Sequence, residues 1–140
     1  MRVLLDANVL FSAAKSDGAV RALLQLLLER GHECWADAYV VAEARRNLHA
    51  KGPASLCVLE ALLPHLRLAP AALHASAPAA HRAASAWLLD KDQPVLLAAI
   101  RLGSDVLVSG DRPHFGPGYS RAFEGVTINS PCSLAERVLR

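Results

Sequence analysis

The chain has 140 residues, of which 53% are hydrophobic and 20% charged, and its formal net charge is +2. This composition excludes a disordered chain, and the length fits one domain, which we expect to span residues 1–140. The net charge alone does not indicate nucleic-acid binding. The excess of arginine (12 residues) over lysine (3 residues) suits phosphate contacts, but it also fits a high-GC coding bias.

The N-terminal segment and the cysteines bear on where the protein works. Asp6 and Asn8 interrupt the apolar N-terminus, so it does not fit a signal peptide. No run of about 20 residues is free of charge and proline, so we expect no membrane span. The three cysteines, Cys34, Cys57 and Cys132, have no CxxC spacing, and we expect them to be free thiols that fill the core. These features predict a cytoplasmic protein.

The first half of the chain alternates short apolar runs with helical patterns. Val20, Leu23, Leu24 and Leu27 recur at helical spacing, and Asp37 is placed to cap a later helix. The predicted elements are a strand at 2–5, a helical turn or two at 8–14, a helix at 20–30, a strand at 33–36, a helix from Asp37 to about 49 and a helix at 54–63.

The second half continues the alternation. The predicted elements are a strand at 65–68, a loop at 69–78, helices at 81–89 and 92–102, a strand at 105–108, a loop at 112–121, a strand at 126–129 and a helix to about 139, capped by Ser130 or Ser133. Strands that alternate with helices form βαβ units. The sequence therefore predicts a three-layer α/β/α fold with a central parallel sheet of four to five strands.

Four acidic residues stand where a parallel sheet would gather them. Asp6 directly follows the first strand, Asp111 follows the fourth strand by three residues, and Asp92 opens a helix. Ligands of open α/β sheets bind beyond the carboxyl ends of the strands. Glu43 lies on the apolar face of its helix, where a glutamate is costly to bury unless it is paired or bound to metal.

Each acid also has a purely structural interpretation. Asp92 is in position to cap its helix, Asp111 to shape a turn, and Glu43 to extend its carboxylate to solvent. Asp6 is harder to explain in this way, because Asn8 already offers a cap for the next helix. All four structural interpretations must hold together for a site to be absent.

Four converging carboxylates are suited to a hard divalent cation. Mg²⁺ prefers oxygen ligands and keeps several waters. A bound ion polarises a phosphate and activates a water, and two ions about 4 Å apart can clamp the attacking and leaving oxygens. Both one-ion and two-ion sites remain open at this point.

Other catalytic patterns are missing from the sequence. There is no HxxxH or HxH pair for zinc, no GxSxG serine, and no GxGxxG or P-loop for nucleotides. Basic residues near the acids are candidates for contacting a polyanionic substrate: Arg46, Arg112 and His114. Their alternative is plain exposure to solvent.

Four blocks in this order resemble the PIN-domain family, and more specifically its VapC-like toxins. They are VLLDANVLFSA at 3–13, VVAEARRNL at 40–48, DQPVLLAAI at 92–100 and DVLVSGDRPHF at 105–115. SPCSLAERVL at 130–139 resembles the closing helix of the family. The resemblance implies that the catalytic and metal-binding residues are Asp6, Glu43, Asp92 and Asp111.

The resemblance also implies supporting residues. Ser109 stands where the family usually has a threonine, and Asn8 matches a polar position that supports the first aspartate. Asp90 and Asp92 both precede Pro94; the spacing favours Asp92 as the ligand and leaves Asp90 as an outer partner.

The family resemblance further implies a cofactor, a substrate and partners. It implies one or two Mg²⁺ or Mn²⁺ ions, cleavage of RNA phosphodiesters, an antitoxin protein and a homodimer. Two alternatives stay open: a catalytically silent PIN-fold module that binds RNA or protein, and another metal-dependent phosphoesterase. A DxDxT-type phosphatase is disfavoured, because Asp6-Ala7-Asn8 lacks the second acid.

Overall fold

A computed structural model describes residues 1–70 and 77–140. It contains one sheet of six strands: β1 Arg2–Leu5, β2 Glu33–Asp37, β3 Arg67–Ala69, β4 Val106–Val108, β5 Ala122–Phe123 and β6 Val126–Asn129. Their order across the sheet is β3-β2-β1-β4-β6-β5. All neighbouring pairs are parallel except β5 and β6.

Helices flank this sheet, so the predicted α/β fold is confirmed. The α-helices in the described ranges are α1 Ala7–Lys15, α2 Ala19–Glu29, α3 Ala38–Lys51, α4 Leu56–Leu62, α5 Ala79–Ser85, α6 Gln93–Arg101, α7 Arg112–Phe115 and α8 Pro131–Leu139. None of them is long and apolar enough to cross a membrane.

The middle of the sheet is its most deeply buried part. Val3, Leu4 and Leu5 of β1, like all three residues of β4, are at most 1% exposed. Such continuous apolar runs are typical of parallel strands that are covered on both faces. The two strands pair directly, with Leu5 opposite Val108. The residues that follow them are therefore held next to each other by the core.

The chain order across the sheet defines where a ligand would bind. Strands β2 and β3 lie in succession on one side of β1, and β4 lies on the other side of β1. The gap between the carboxyl ends of β1 and β4 is thus a topological switch point. Open α/β sheets bind their ligands at such points.

Two segments differ from the prediction. The sheet has a sixth, antiparallel edge strand, because Glu124 and Gly125 form a two-residue turn with φ of 48° and 87°. Positive φ at both central residues is the requirement of a tight type I′ hairpin turn. The loop predicted at 112–121 begins instead with α7, whose Pro113 occupies the first turn, where a missing amide hydrogen costs nothing.

The remaining differences from the prediction are smaller. The third strand starts at Arg67 because a 3₁₀ turn occupies Leu63–His65. The helix predicted at 81–89 spans Ala79–Ser85. The predicted loop at 69–78 falls mostly on residues 71–76, which lie outside the described residues. Only one cysteine is buried, since Cys57 and Cys132 are exposed, so the prediction that all three fill the core was wrong.

Candidate metal centre at the carboxyl end of the sheet

A pocket of about 160 Å³ opens beyond the carboxyl ends of β1 and β4. Its lining is mostly polar and comprises Asp6, Ala7, Asn8, Glu43, Asn47, Lys91, Asp92 and Asp111. The structure thus brings the four predicted acids to one pocket from four different elements.

Asp6 is the most buried of the four acids, with 5% of its surface exposed. Its Oδ1 accepts a hydrogen bond from the Ala7 amide at 2.8 Å. Its Oδ2 accepts one from Ser109 Oγ at 2.7 Å and one from Asn8 Nδ2 at 3.0 Å. Asp6 is also the residue that caps α1, whereas Asn8 lies in the first turn. The expectation that Asn8 caps this helix was therefore wrong.

Ser109 and Asn8 link the end of β1 to the end of β4. The Asn8 amide donates to Ser109 Oγ at 3.2 Å, and its Oδ1 accepts from the Gly110 amide at 2.8 Å. Ser109 Oγ also accepts from the Asp111 backbone amide at 3.1 Å. The serine hydroxyl therefore fixes Asp111 relative to Asp6, which is a positioning role.

The ionised form of Asp6 is disfavoured. Burial raises the pKa of its carboxyl to about 6, and the charges of Glu43 and Asp92 act in the same direction. The hydrogen bonds from Ser109 and Ala7 oppose this rise and are too weak to cancel it. At neutral pH the site therefore carries a buried negative charge that a cation would stabilise.

Glu43 reaches the pocket from α3. This helix is capped by Asp37, whose Oδ1 accepts from the Val40 amide at 2.9 Å. Glu43 is half-buried and lines the pocket, and Asn47 lines it one turn further along. Glutamate and asparagine four residues apart share one helix face, so this spacing is the signal by which the sequence could have indicated Asn47.

Asp92, Asp111 and His114 form a tighter group within the site. His114 Nδ1 lies 2.8 Å from Asp111 Oδ2 and 3.2 Å from Asp92 Oδ2. Among the described residues, neither His114 Nδ1 nor Asp92 Oδ2 has a hydrogen-bond partner of proper alignment, although both atoms are buried. One ligand atom from each of the three residues lies within 4.8 Å of the others.

Asp92 and Asp111 differ in their structural roles. Asp92 precedes α6 but makes no capping hydrogen bond, so its side chain is not explained as a cap. Asp111 does cap α7, because its Oδ1 accepts from the His114 amide at 3.3 Å. Burial raises the pKa of Asp92, and the charge of Asp111 adds to this, while His114 and Lys91 oppose it.

These donors fit a divalent metal ion. Buried polar atoms that make no aligned hydrogen bond need an explanation, and an ion bound by them is one. Carboxylate oxygens suit Mg²⁺ and Mn²⁺, and an imidazole nitrogen is a common ligand of transition-metal ions. Asp6 and Glu43 line the same pocket but fall outside the three-residue group.

The other predicted residues lie outside the pocket lining. Asp90 is exposed, as are Arg46 and Arg112. The basic residue that does line the pocket is Lys91, which the sequence analysis missed. No pattern in the sequence distinguishes Lys91 from a solvent-exposed lysine, because it stands in a turn before α6.

The chain belongs to the PIN-domain family. A family model of the PIN domain matches residues 2–113, which confirms the resemblance seen in the sequence. No curated protein sequence matches the chain significantly.

Solved structures with a similar fold are toxins in toxin–antitoxin complexes. One is from VapBC of Salmonella typhimurium bound to DNA: TM-score 0.66, 20% identity, 94% of this chain and 99% of that chain covered. A second is from VapBC2 of Rickettsia felis bound to a promoter DNA fragment. Its TM-score is 0.65 and its sequence identity 15%, with 93% of this chain and 98% of that chain covered. A third is from FitAcB of Neisseria gonorrhoeae. Its TM-score is 0.60 and its sequence identity 22%, with 93% of this chain and 98% of that chain covered. At these identities the likeness concerns the fold.

Proposed function

We propose that this chain is a divalent-metal-dependent endoribonuclease that cleaves RNA phosphodiesters. The observation that carries the proposal is the group of Asp92, Asp111 and His114, in which His114 Nδ1 and Asp92 Oδ2 are buried and make no hydrogen bond of proper alignment. Asp92 and Asp111 of this group line the same pocket as Asp6 and Glu43, at the switch point of the sheet of a PIN domain. The cofactor we propose is Mg²⁺ or Mn²⁺, as one or two ions.

Each side chain has a defined part in this proposal. Asp92 and Asp111 hold the ion, and His114 adds a nitrogen ligand. Asp6 and Glu43 supply further negative charge and accept hydrogen bonds from ordered waters. When bound, the ion polarises the scissile phosphate and activates a water for in-line attack. Ser109 positions both Asp6 and Asp111.

We also propose that the chain is the toxin of a toxin–antitoxin pair. The support is structural likeness: the three similar structures are parts of VapBC or FitAB complexes. Co-purification of the chain with the product of a neighbouring small reading frame, and loss of RNA cleavage in that complex, would be the expected result. Unchanged cleavage by the co-purified complex would contradict an inhibitory partner.

RNA cleavage by matched aspartate variants tests the nuclease proposal. Asp111→Asn keeps the cap of α7, since asparagine caps helices as well as aspartate does, but removes a charged ligand. We expect it to lower the cleavage rate of a fluorescent RNA with Mg²⁺ or Mn²⁺ by about a hundredfold or more. The measurement is the initial rate, with folding checked by circular dichroism.

The control is Asp105→Asn. Asp105 lies at the opposite end of the sheet, where its carboxylate accepts from the Arg2 amide at 2.8 Å. This variant loses the same charge outside the pocket and should cleave as wild type does. Equal cleavage by wild type and Asp111→Asn would refute the proposal, and RNA binding without cleavage by wild type would favour a catalytically silent module.

A further inference from the structure

A second pocket adjoins the acidic pocket. It has a volume of about 180 Å³ and is lined by Asn8, Phe11, Asn47 and Lys51. Asn8 and Asn47 line both pockets, so the two form one continuous surface. Pockets for drug-sized ligands occupy about 300–1,000 Å³, so the second pocket suits a single ring system.

Two helices arrange the side chains of this surface in parallel rows. On α1, Asn8, Phe11 and Lys15 are three and four residues apart. On α3, Asn47 and Lys51 follow Glu43 at intervals of four. Residues at these spacings share one face of a helix. Each row therefore begins at the acidic pocket, contains one side-chain amide and ends at a lysine.

All three lysines of the chain lie along this surface. Lys91 lines the acidic pocket and Lys51 the second pocket. The ammonium nitrogen of Lys15 lies 5.2 Å from the centroid of the Phe11 ring. These are the 3 lysines of the chain, whose other basic side chains of this kind are 12 arginines.

None of these lysines forms an ion pair in the described part of the chain. The carboxylates that pair with basic side chains do so with arginine or histidine, for example Glu33 with Arg2 and Glu60 with Arg45. Lys15 and Lys51 are exposed, and the side chain of Asn47 makes no hydrogen bond within the described ranges. Their polar groups are therefore available to a ligand.

We propose that Phe11, Lys15, Asn47 and Lys51 form a subsite for the nucleotide next to the scissile phosphate of single-stranded RNA. This inference rests on the proposed nuclease function and extends it to substrate positioning. We call these four residues the Phe11 subsite.

The chemistry of the subsite suits a nucleotide. An aromatic ring offers a stacking surface to any base, and lysine ammonium groups bind the backbone phosphates. Lys15 covers the Phe11 ring in the free protein, and its flexible stem allows it to move onto a phosphate when a base takes its place. Asn47 contributes an amide that can donate to and accept from the base or the sugar.

Binding of a labelled single-stranded RNA in the Asp111→Asn background tests the subsite. The double variant Lys15→Gln/Lys51→Gln should lower the slope of log Kd against log salt by about 1.4, or about 0.7 for each lost phosphate contact. Phe11→Leu, which keeps apolar packing, should weaken binding by about 5- to 150-fold through lost stacking and leave the slope unchanged.

The matched control is Arg82→Gln/Arg101→Gln. These arginines are exposed residues of α5 and α6, so this variant loses the same charge outside the subsite. Its slope should equal that of the parent. In the otherwise wild-type chain, the lysine variant should raise KM for RNA cleavage and leave kcat unchanged.

The outcomes separate the two proposals. RNA cleavage by wild type, with slopes and affinities of the lysine and Phe11 variants equal to those of the parent, would overturn the subsite and leave the nuclease intact. Lysine-dependent and Phe11-dependent RNA binding without any cleavage by wild type would support RNA binding by the Phe11 subsite and overturn the nuclease. A salt slope lowered equally by the arginine control would also overturn the subsite.

Discussion

Both ends of the sheet collect charged residues, but these charges are compensated at the amino end and largely uncompensated at the carboxyl end. At the amino end, Arg2 Nε lies 2.9 Å from Glu33 Oε2, and Arg67 lies 3.2 Å from Glu33 Oε1. Asp105 accepts a hydrogen bond from the Arg2 amide. The hydrogen bond from Arg2 lowers the pKa of Glu33, so its ionised form is stabilised.

At the carboxyl end, negative charge is left largely uncompensated. Four carboxylates share a pocket with one lysine, Lys91, and the pKa of Asp6 is raised to about 6. Local rules of charge pairing are expected to fail at functional sites, where the cost is met by stability elsewhere. The contrast teaches that the amino end serves folding, whereas the carboxyl end has an arrangement that folding alone does not explain.

The largest effect on stability is expected from Asp6→Asn. The pKa of Asp6 is 3.8 without the protein environment and about 6 in the fold, so the folded state holds the proton more tightly. The stability from this group is present below about pH 4 and is lost as the pH rises through about 6. At about pH 7.5 without metal, Asp6→Asn should raise the free energy of unfolding by at most roughly 3 kcal/mol.

Urea denaturation of the metal-free proteins across this pH range measures the effect. The increase in the free energy of unfolding caused by Asp6→Asn should vanish near pH 4, because Asp6 is then neutral in the wild type as well. The companion variant, Glu33→Gln, should behave oppositely: it should destabilise at neutral pH, and its effect should disappear as the pH falls through the lowered pKa of Glu33. Parallel pH profiles for the two variants would contradict the contrast between the ends.

A smaller effect, on metal affinity, is expected from Ser109→Ala. The Ser109 hydroxyl donates to Asp6 and accepts from the Asp111 amide, so its loss frees the proposed ligand Asp111 and the neighbouring carboxylate of Asp6 to move. Loss of such an outer contact typically weakens metal binding by about 10- to 100-fold. Calorimetry with Mn²⁺ should show this loss, and Ser109→Thr, which keeps the hydroxyl, should restore most of the affinity. Equal affinities of the alanine variant and wild type would refute a positioning role.

The sequence predicted the parts of the fold that depend on local patterns. The apolar run of β1 ends at an acid, and that of β4 is followed three residues later by another, so Asp6 and Asp111 could be located at the sheet edge. The hairpin strand β5 and the short helix α7 were missed, because two and four residues are too few to show a period.

The composition of the pocket could be predicted only in part. The four-residue spacing from Glu43 could have indicated Asn47. Lys91 reaches the pocket through the turn before α6, which no local pattern encodes. The position of His114 against Asp92 depends on α7, a segment that the sequence suggested was a loop. Contacts between residues distant in the chain are set by the tertiary fold, so a single sequence leaves them open.

The most direct test of the account is a calorimetric titration with Mn²⁺ of wild type, Asp111→Asn and Asp105→Asn. The central claim is that the uncompensated carboxyl end is a metal site and the compensated amino end is not. We predict binding by wild type and Asp105→Asn at millimolar metal or below, and loss of binding in Asp111→Asn. Absence of binding by wild type at millimolar Mn²⁺, or equal binding by all three proteins, would contradict the claim.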